Sequence, residues 1–152
     1  MYSKKYIKNG IIYNCKHFPF WNYDAIMFFW FIFTKESPEE FDKIELYHEQ
    51  IHQMQYKDCI RLGGFIAIAL LFILLATGCC SYWLFMLALI PFTIYYILYL
   101  INFFILLVRY RNWNKAYRNI CFERQAYQLQ HEGNIVCQQR TPYVSFSWLK
   151  YI

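Results

Sequence analysis

From Leu62 to Val108 the chain runs 47 residues without an Asp, Glu, Lys, Arg or His, whereas both flanks mix charges with short apolar runs. As one helix this stretch would be about 70 Å long, more than twice the roughly 30 Å hydrocarbon core of a bilayer. It is therefore expected to fold back at Thr77-Gly78-Cys79-Cys80-Ser81, the only turn-like cluster inside it. That gives a first crossing over residues 62–76 and a second over 82–108, with Pro91 expected to kink the second. The competing reading is the buried helical hairpin of a soluble protein. Two flanks of about 50 residues each could hardly cover one.

The flanks carry different periods. Residues 4–8 and 11–16 read as two short strands around Asn9-Gly10, a strong hairpin signal. Residues 25–33 (AIMFFWFIF) are apolar throughout but too short to span as a helix, which favours a single buried or interfacial strand. Ser37-Pro38-Glu39-Glu40 has the composition of a helix start, and nothing interrupts the helix that follows until Gly63-Gly64. After the second crossing, residues 114–132 read as one helix closed by Gly133. Residues 134–152 read as an irregular tail packed through Tyr143, Phe146 and Trp148. The expected fold class is mainly α with a small β element. The parts are a β region (1–36), a first helix (37–61), a transmembrane hairpin (62–108), a second helix (109–133) and the tail (134–152), all one domain.

Composition sharpens this picture. The chain is 59% hydrophobic and 16% charged, and all of its acidic and basic residues lie outside the hairpin. Eight basic residues precede the hairpin, seven follow it and none lies in its loop, so both termini are expected on the cytoplasmic side. A net charge of +5 then suits anionic lipid headgroups, with no need for a nucleic-acid partner. Arg109, Arg111, Lys115 and Arg118 read as lipid-facing anchors, and the five Trp residues suit interfacial belts or local packing equally well. The first residues have no apolar signal core, so no cleaved secretory peptide is expected. The six cysteines lack metal-ribbon spacing and are expected to be reduced.

The first flanking helix contains His48-Glu49-Gln50-Ile51-His52, an HExxH. Residues four apart share a helical face, so both imidazoles can reach one Zn²⁺. Glu49, offset by one position, can take the proton of a water that zinc has acidified. The bland alternative is two exposed histidines on a polar helix surface. A catalytic zinc usually has three protein ligands. The candidates for the third are Glu123, His131 and Glu132 downstream and His17 upstream. Glu123 is preferred because Ile120, Ala126 and Tyr127 turn its face inward, and a buried carboxylate needs a partner. That partner is either a metal or an arginine such as Arg118 or Arg124. Gln55, seven positions after His48, lies on nearly the same face and could bond within the site. Ordinary surface roles suit Gln53 and Gln55 as well.

HExxH followed by Glu123-x-x-Ala126 on a later helix resembles the gluzincin zinc peptidases. With a transmembrane hairpin between the two helices, the chain resembles their integral-membrane branch, which includes the CAAX prenyl endopeptidases and the heat-shock membrane protease. It also resembles small Bacteroidetes-type membrane proteins of unassigned role that share NHExIH-like and FERxAY-like segments. The matching segments here are residues 47–52 and 122–127. One departure is Tyr127, where the branch of known activity commonly has Asp, which leaves the partner of the first histidine unidentified. The resemblance implies a minimal membrane-anchored metallopeptidase with His48, His52 and Glu123 as ligands and Glu49 as general base. It also implies that residues 25–33 hold substrate by strand addition. An exposed edge and a fully covered core strand are equally compatible with that segment. For oxyanion stabilisation Tyr127 is the first candidate, followed by Tyr143 or His131.

His52 precedes the first crossing by about ten residues, roughly 15 Å of helix, which puts the metal just above the cytoplasmic membrane surface. So small a polypeptide favours a shallow cleft open toward the bilayer. The expected activity is hydrolysis of peptides or membrane-proximal protein segments. The alternatives are zinc hydrolysis of a lipid amide or ester, and a noncatalytic scaffold or regulator whose zinc site is closed by a fourth ligand such as His17, Cys121 or His131.

Overall fold

A computed structural model describes residues 4–7, 10–15, 24–36, 42–78, 81–132 and 144–152. The expectations for Asn9, His17, Trp21, Ser37–Glu40, Cys79-Cys80, Gly133 and Tyr143 fall outside these residues. The fold is mainly helical, with a small sheet at its N-terminal end. Strands β1 (Lys4–Ile7), β2 (Gly10–Asn14), β3 (Ala25–Phe28) and β4 (Phe31–Thr34) form one sheet in the order β1-β2-β4-β3. The β1/β2 and β3/β4 pairs are antiparallel, and β2 runs parallel to β4. Ile12 and Ile32, directly paired across β2 and β4, are fully buried and pack against Ala25 and Leu46.

The single strand expected over residues 25–33 is instead the β3/β4 hairpin, turning at Phe29 and Trp30. Phe29 adopts φ 54°, a left-handed conformation uncommon for an aromatic residue. Its backbone N–H donates to the Tyr96 hydroxyl at 2.5 Å, and its ring packs edge-on against Tyr56 and Tyr96. Tertiary contacts to two helices thus hold a turn that has no glycine or asparagine.

Helix α1 (Lys43–Ala76) opens at Asp42, whose carboxylate accepts from the Ile44 N–H, and continues unbroken through Gly63-Gly64. Gly63 is there for proximity: a Cβ at this position would lie 2.6 Å from Pro91 Cα. A 3₁₀ segment (Tyr82–Leu89) leads into α2 (Ile90–Tyr110), and Pro91 sits in the first turn of α2. It therefore marks the change from 3₁₀ to α rather than a kink within a helix, since a first-turn proline has no intrahelical bond to lose.

The expected helix over 114–132 is divided into α3 (Trp113–Arg118) and α4 (Cys121–Leu129), followed by a 3₁₀ turn (Gln130–Glu132). Ile120 is extended (φ −55°, ψ 134°). Asn102, a lone amide within the apolar run of α2, accepts from the Cys121 N–H at 2.8 Å and so satisfies an orphan donor at the start of α4. The C-terminal 3₁₀ segment (Ser147–Tyr151) packs Trp148 against Phe122, while buried Asp58 accepts from the Phe146 N–H at 2.8 Å.

Both α1 and the segment Tyr82–Tyr110 are long and apolar enough to cross a membrane, with mean hydropathies of 2.5 and 2.2. Only 17% and 6% of their most apolar windows are buried, so the described residues leave most of the hairpin's apolar surface uncovered. On α2 the exposed apolar face continues through Leu100, Ile101, Phe104 and Ile105 to Val108.

Candidate metal centre

α1 carries His48 and His52 one turn apart, and the first turn of α4 brings Glu123 against both. His48 Nε2 lies 3.2 Å from Glu123 Oε2, His52 Nε2 lies 3.3 Å from Oε1, and the two Nε2 atoms are 3.1 Å apart. All three side chains are buried, and their donor atoms fall within 4.8 Å of one another, a group that can hold a metal ion. The expected ligand set therefore converges. The ion-pair partners of Glu123 among the described residues are these histidines. Arg124 turns away to bond the Tyr151 carbonyl.

The outer nitrogens settle what the inner ones offer. Gln55 Oε1 meets His52 Nδ1 at 2.8 Å. Its amide nitrogen donates to the Phe122 carbonyl and to Gln125 Oε1, which orients the oxygen toward the ring. Gln130 Oε1 meets His48 Nδ1 at 3.0 Å. An amide oxygen only accepts, so each Nδ1 carries a proton, and each Nε2 is the nitrogen turned toward Glu123, free to ligate a metal once it gives up its own proton. Two imidazole nitrogens and a carboxylate facing one point suit a cation, whether a proton or a metal ion.

Charges in the cluster respond accordingly. Burial alone would raise the Glu123 carboxyl, but the two histidines outweigh it and hold Glu123 far below the usual carboxylate range. For His52, burial works downward, and the Glu123 carboxylate overcomes it to push the ring up to about 9. Glu49 is raised, first by burial, against the lowering pull of His52 and His48 and of the nearby Met27 N–H.

Met27 belongs to β3, which lines one cavity with Glu49. Asp24 and Lys35 form a hydrogen-bonded pair through Lys35 N–H and the Asp24 carbonyl at 3.0 Å. Antiparallel pairs alternate, so Ile26 and Phe28 bond to β4 while the backbone groups of Ala25 and Met27 face outward. Among the described residues β3 is thus an edge strand with no strand on its outer side, and it runs beside Glu49. Two spaces meet there. A cavity of about 350 Å³ is lined by Met27, Glu49, His52, Tyr99, Phe104 and Glu123, among others. A recess of about 210 Å³ on the other side is lined by Asp24, Glu45, His48, Glu49, Tyr127 and Gln130, among others.

Tyr127 packs its ring edge-on against His48, with centroids 4.7 Å apart, on the recess side. The hydroxyls at the centre come from α2: Tyr99 donates to Glu123 Oε1 at 2.8 Å, and Tyr95 lies 3.4 Å from His52 Nδ1. Both tyrosines lie within the second crossing expected over residues 82–108. Their i, i+4 spacing was the available signal, since a hydroxyl on an apolar helix needs a partner. His131 is exposed and outside the cluster, its neighbour Gln130 supplying the contact instead. Cys121 is also outside it, a buried thiol pushed up to about 11, chiefly by burial. Gln53 bonds the Trp30 carbonyl, away from the site. No family model, curated protein or solved structure matches the chain.

Proposed function

We propose that this chain is a zinc-dependent membrane metallopeptidase of gluzincin type, acting on peptides or membrane-proximal protein segments. The observation that carries the reading is the position of Glu49: buried beside the three converging ligands and lining one cavity with Ala25 and Met27 of edge strand β3. Two imidazoles and a carboxylate suit zinc, and three ligands leave a fourth position for water or substrate. Bound there, zinc would supply a Lewis acid that acidifies water and polarises a carbonyl.

The chain's own residues do the rest. The outward N–H and C=O groups of Ala25 and the outward C=O of Met27 hold an extended peptide backbone by strand addition, the Met27 N–H being turned to Glu49. Glu49, its carboxyl raised by burial, takes a proton from the attacking water and passes it to the leaving amine. Gln55 and Gln130 fix the imidazole tautomers, and Tyr99 holds Glu123 in place. The hairpin anchors the protein in the bilayer, with the basic flanks facing the cytoplasm.

A second reading, hydrolysis of a lipid amide or ester by the same groups, draws support from the apolar lining of the larger cavity. A structural zinc site would need a fourth protein ligand, and none of the described residues joins the three. Purified protein incubated with a mixed peptide library tests the peptidase reading. Cleavage is expected for wild type and none for Glu49→Gln, with zinc retained in both. A zinc-loaded wild type that cuts no peptide would refute it.

A further inference from the structure

The two spaces that meet at Glu49 differ in chemistry. The larger one is walled on one side by α2, and Ile26, Leu100, Phe104 and Trp113 on its rim are all exposed apolar residues. Because α1 and α2 are antiparallel with Gly63 beside Pro91, the exposed face of α2 continues past the metal ligands, so that Val108 comes close to the level of Leu46. The lipid-compatible surface thus flanks the centre rather than ending short of it. The cavity opens onto that surface.

The smaller recess, on the far side of Glu49, is lined by Asp24, Glu45 and Glu49, and no described Lys or Arg lines it. The Glu45 carboxyl is raised by burial and then by the charges of Asp24, Glu36, Asp42 and Glu49, a mark of how closely negative charge gathers here. Ala25, on the free edge of β3, borders both spaces. A chain lying along that edge would therefore pass from an apolar compartment, over the ligands, into an acidic one.

We infer that the cleft selects peptide segments at the point where they leave a bilayer, with apolar residues on the α2 side and Lys or Arg on the Asp24–Glu45 side. The bond to be cut lies between them. This specificity rests on the peptidase reading above. Membrane proteins concentrate Lys and Arg just beyond their cytoplasmic crossing ends, so the charge pattern of the cleft complements a common kind of chain.

The test is binding to zinc-loaded Glu49→Gln protein in zwitterionic nanodiscs, whose lipids attract neither charge. The probes are fluorescein-labelled peptides with a Leu/Ala stretch followed by two lysines, or by two glutamates. The lysine peptide is expected to bind at least about tenfold tighter. Asp24→Asn combined with Glu45→Gln should bring the two peptides within about twofold, and Leu100→Trp, which fills the cavity, should weaken both. Zinc content certifies that each variant is folded. Equal affinity of the two peptides, or a preference that survives the double substitution, overturns the inference. Hydrolysis by wild type is scored separately. Cutting without preference rejects only the inference, and selective binding without cutting rejects only the peptidase reading.

Discussion

Tyr99, in the middle of an apolar helix, donates its hydroxyl hydrogen to Glu123 Oε1 at 2.8 Å. The apolar hairpin is therefore part of the centre: α2 reaches back to hold the carboxylate that faces His48 and His52. Hydrogen bonds to charged groups contribute about 1.5–3 kcal/mol when buried. Tyr99→Phe should lower the stability of the metal-free protein by an amount of that order. It should also weaken zinc binding by about tenfold, as loss of a ligand's outer partner does. Thermal unfolding and competition with a zinc chelator measure the two effects.

Gln55 orients His52 and is itself held by Phe122 and Gln125. Gln55→Leu removes the acceptor while keeping the volume, leaving the Nδ1–H unpaired. Zinc affinity should fall by about 10–100-fold, with the helical circular-dichroism signal unchanged. Gln55→Glu keeps an acceptor for His52 but turns a second carboxylate oxygen toward the Phe122 carbonyl and Gln125 Oε1, so it should weaken zinc binding as well.

The metal-free protein should have a pH window of maximal stability. His52 is raised in the fold to about 9 from 6.5. Its contribution is therefore complete below about pH 6.5 and is lost as pH rises through 9. Glu123 is depressed, so its contribution is present above its ordinary value and lost as pH falls below it. With chelator present, the melting temperature should decline between pH 6.5 and 9. Zinc, replacing the proton between the ligands, should abolish that decline. An alkaline decline equal with and without zinc would contradict the assignment of the ligands.

Gly63 lets α1 approach Pro91 so closely that a methyl group has no room. Gly63→Ala should cost about 1–3 kcal/mol by forcing the hairpin apart. Gly64, with open space at its Cβ, should accept Ala with no loss. Thermal unfolding of the paired variants in detergent compares them directly.

Much of this centre was legible in the sequence. His48 and His52 announce a shared helical face by spacing alone, and Glu123 stands out as a carboxylate among apolar neighbours. The absence of charge over residues 62–108 marks the hairpin. What stayed hidden depends on tertiary contacts. Phe29 and Trp30 carry no turn chemistry, so the β3/β4 hairpin depends on Tyr56 and Tyr96 from two helices. Asn119 and Ile120 contain no Gly or Pro to divide α3 from α4; the division is set where Asn102 receives the Cys121 N–H. Tyr95 and Tyr99 lie in a run where inward-facing and lipid-facing aromatics have the same composition.

The most direct measurement is the metal content of purified wild type beside His48→Ala, Glu123→Ala and Glu49→Gln. One zinc per chain is expected in wild type and Glu49→Gln, with loss from the two ligand variants. A wild-type chain without stoichiometric divalent metal after incubation with zinc, or a Glu123→Ala variant that binds zinc as tightly as wild type, would contradict a His48–His52–Glu123 centre.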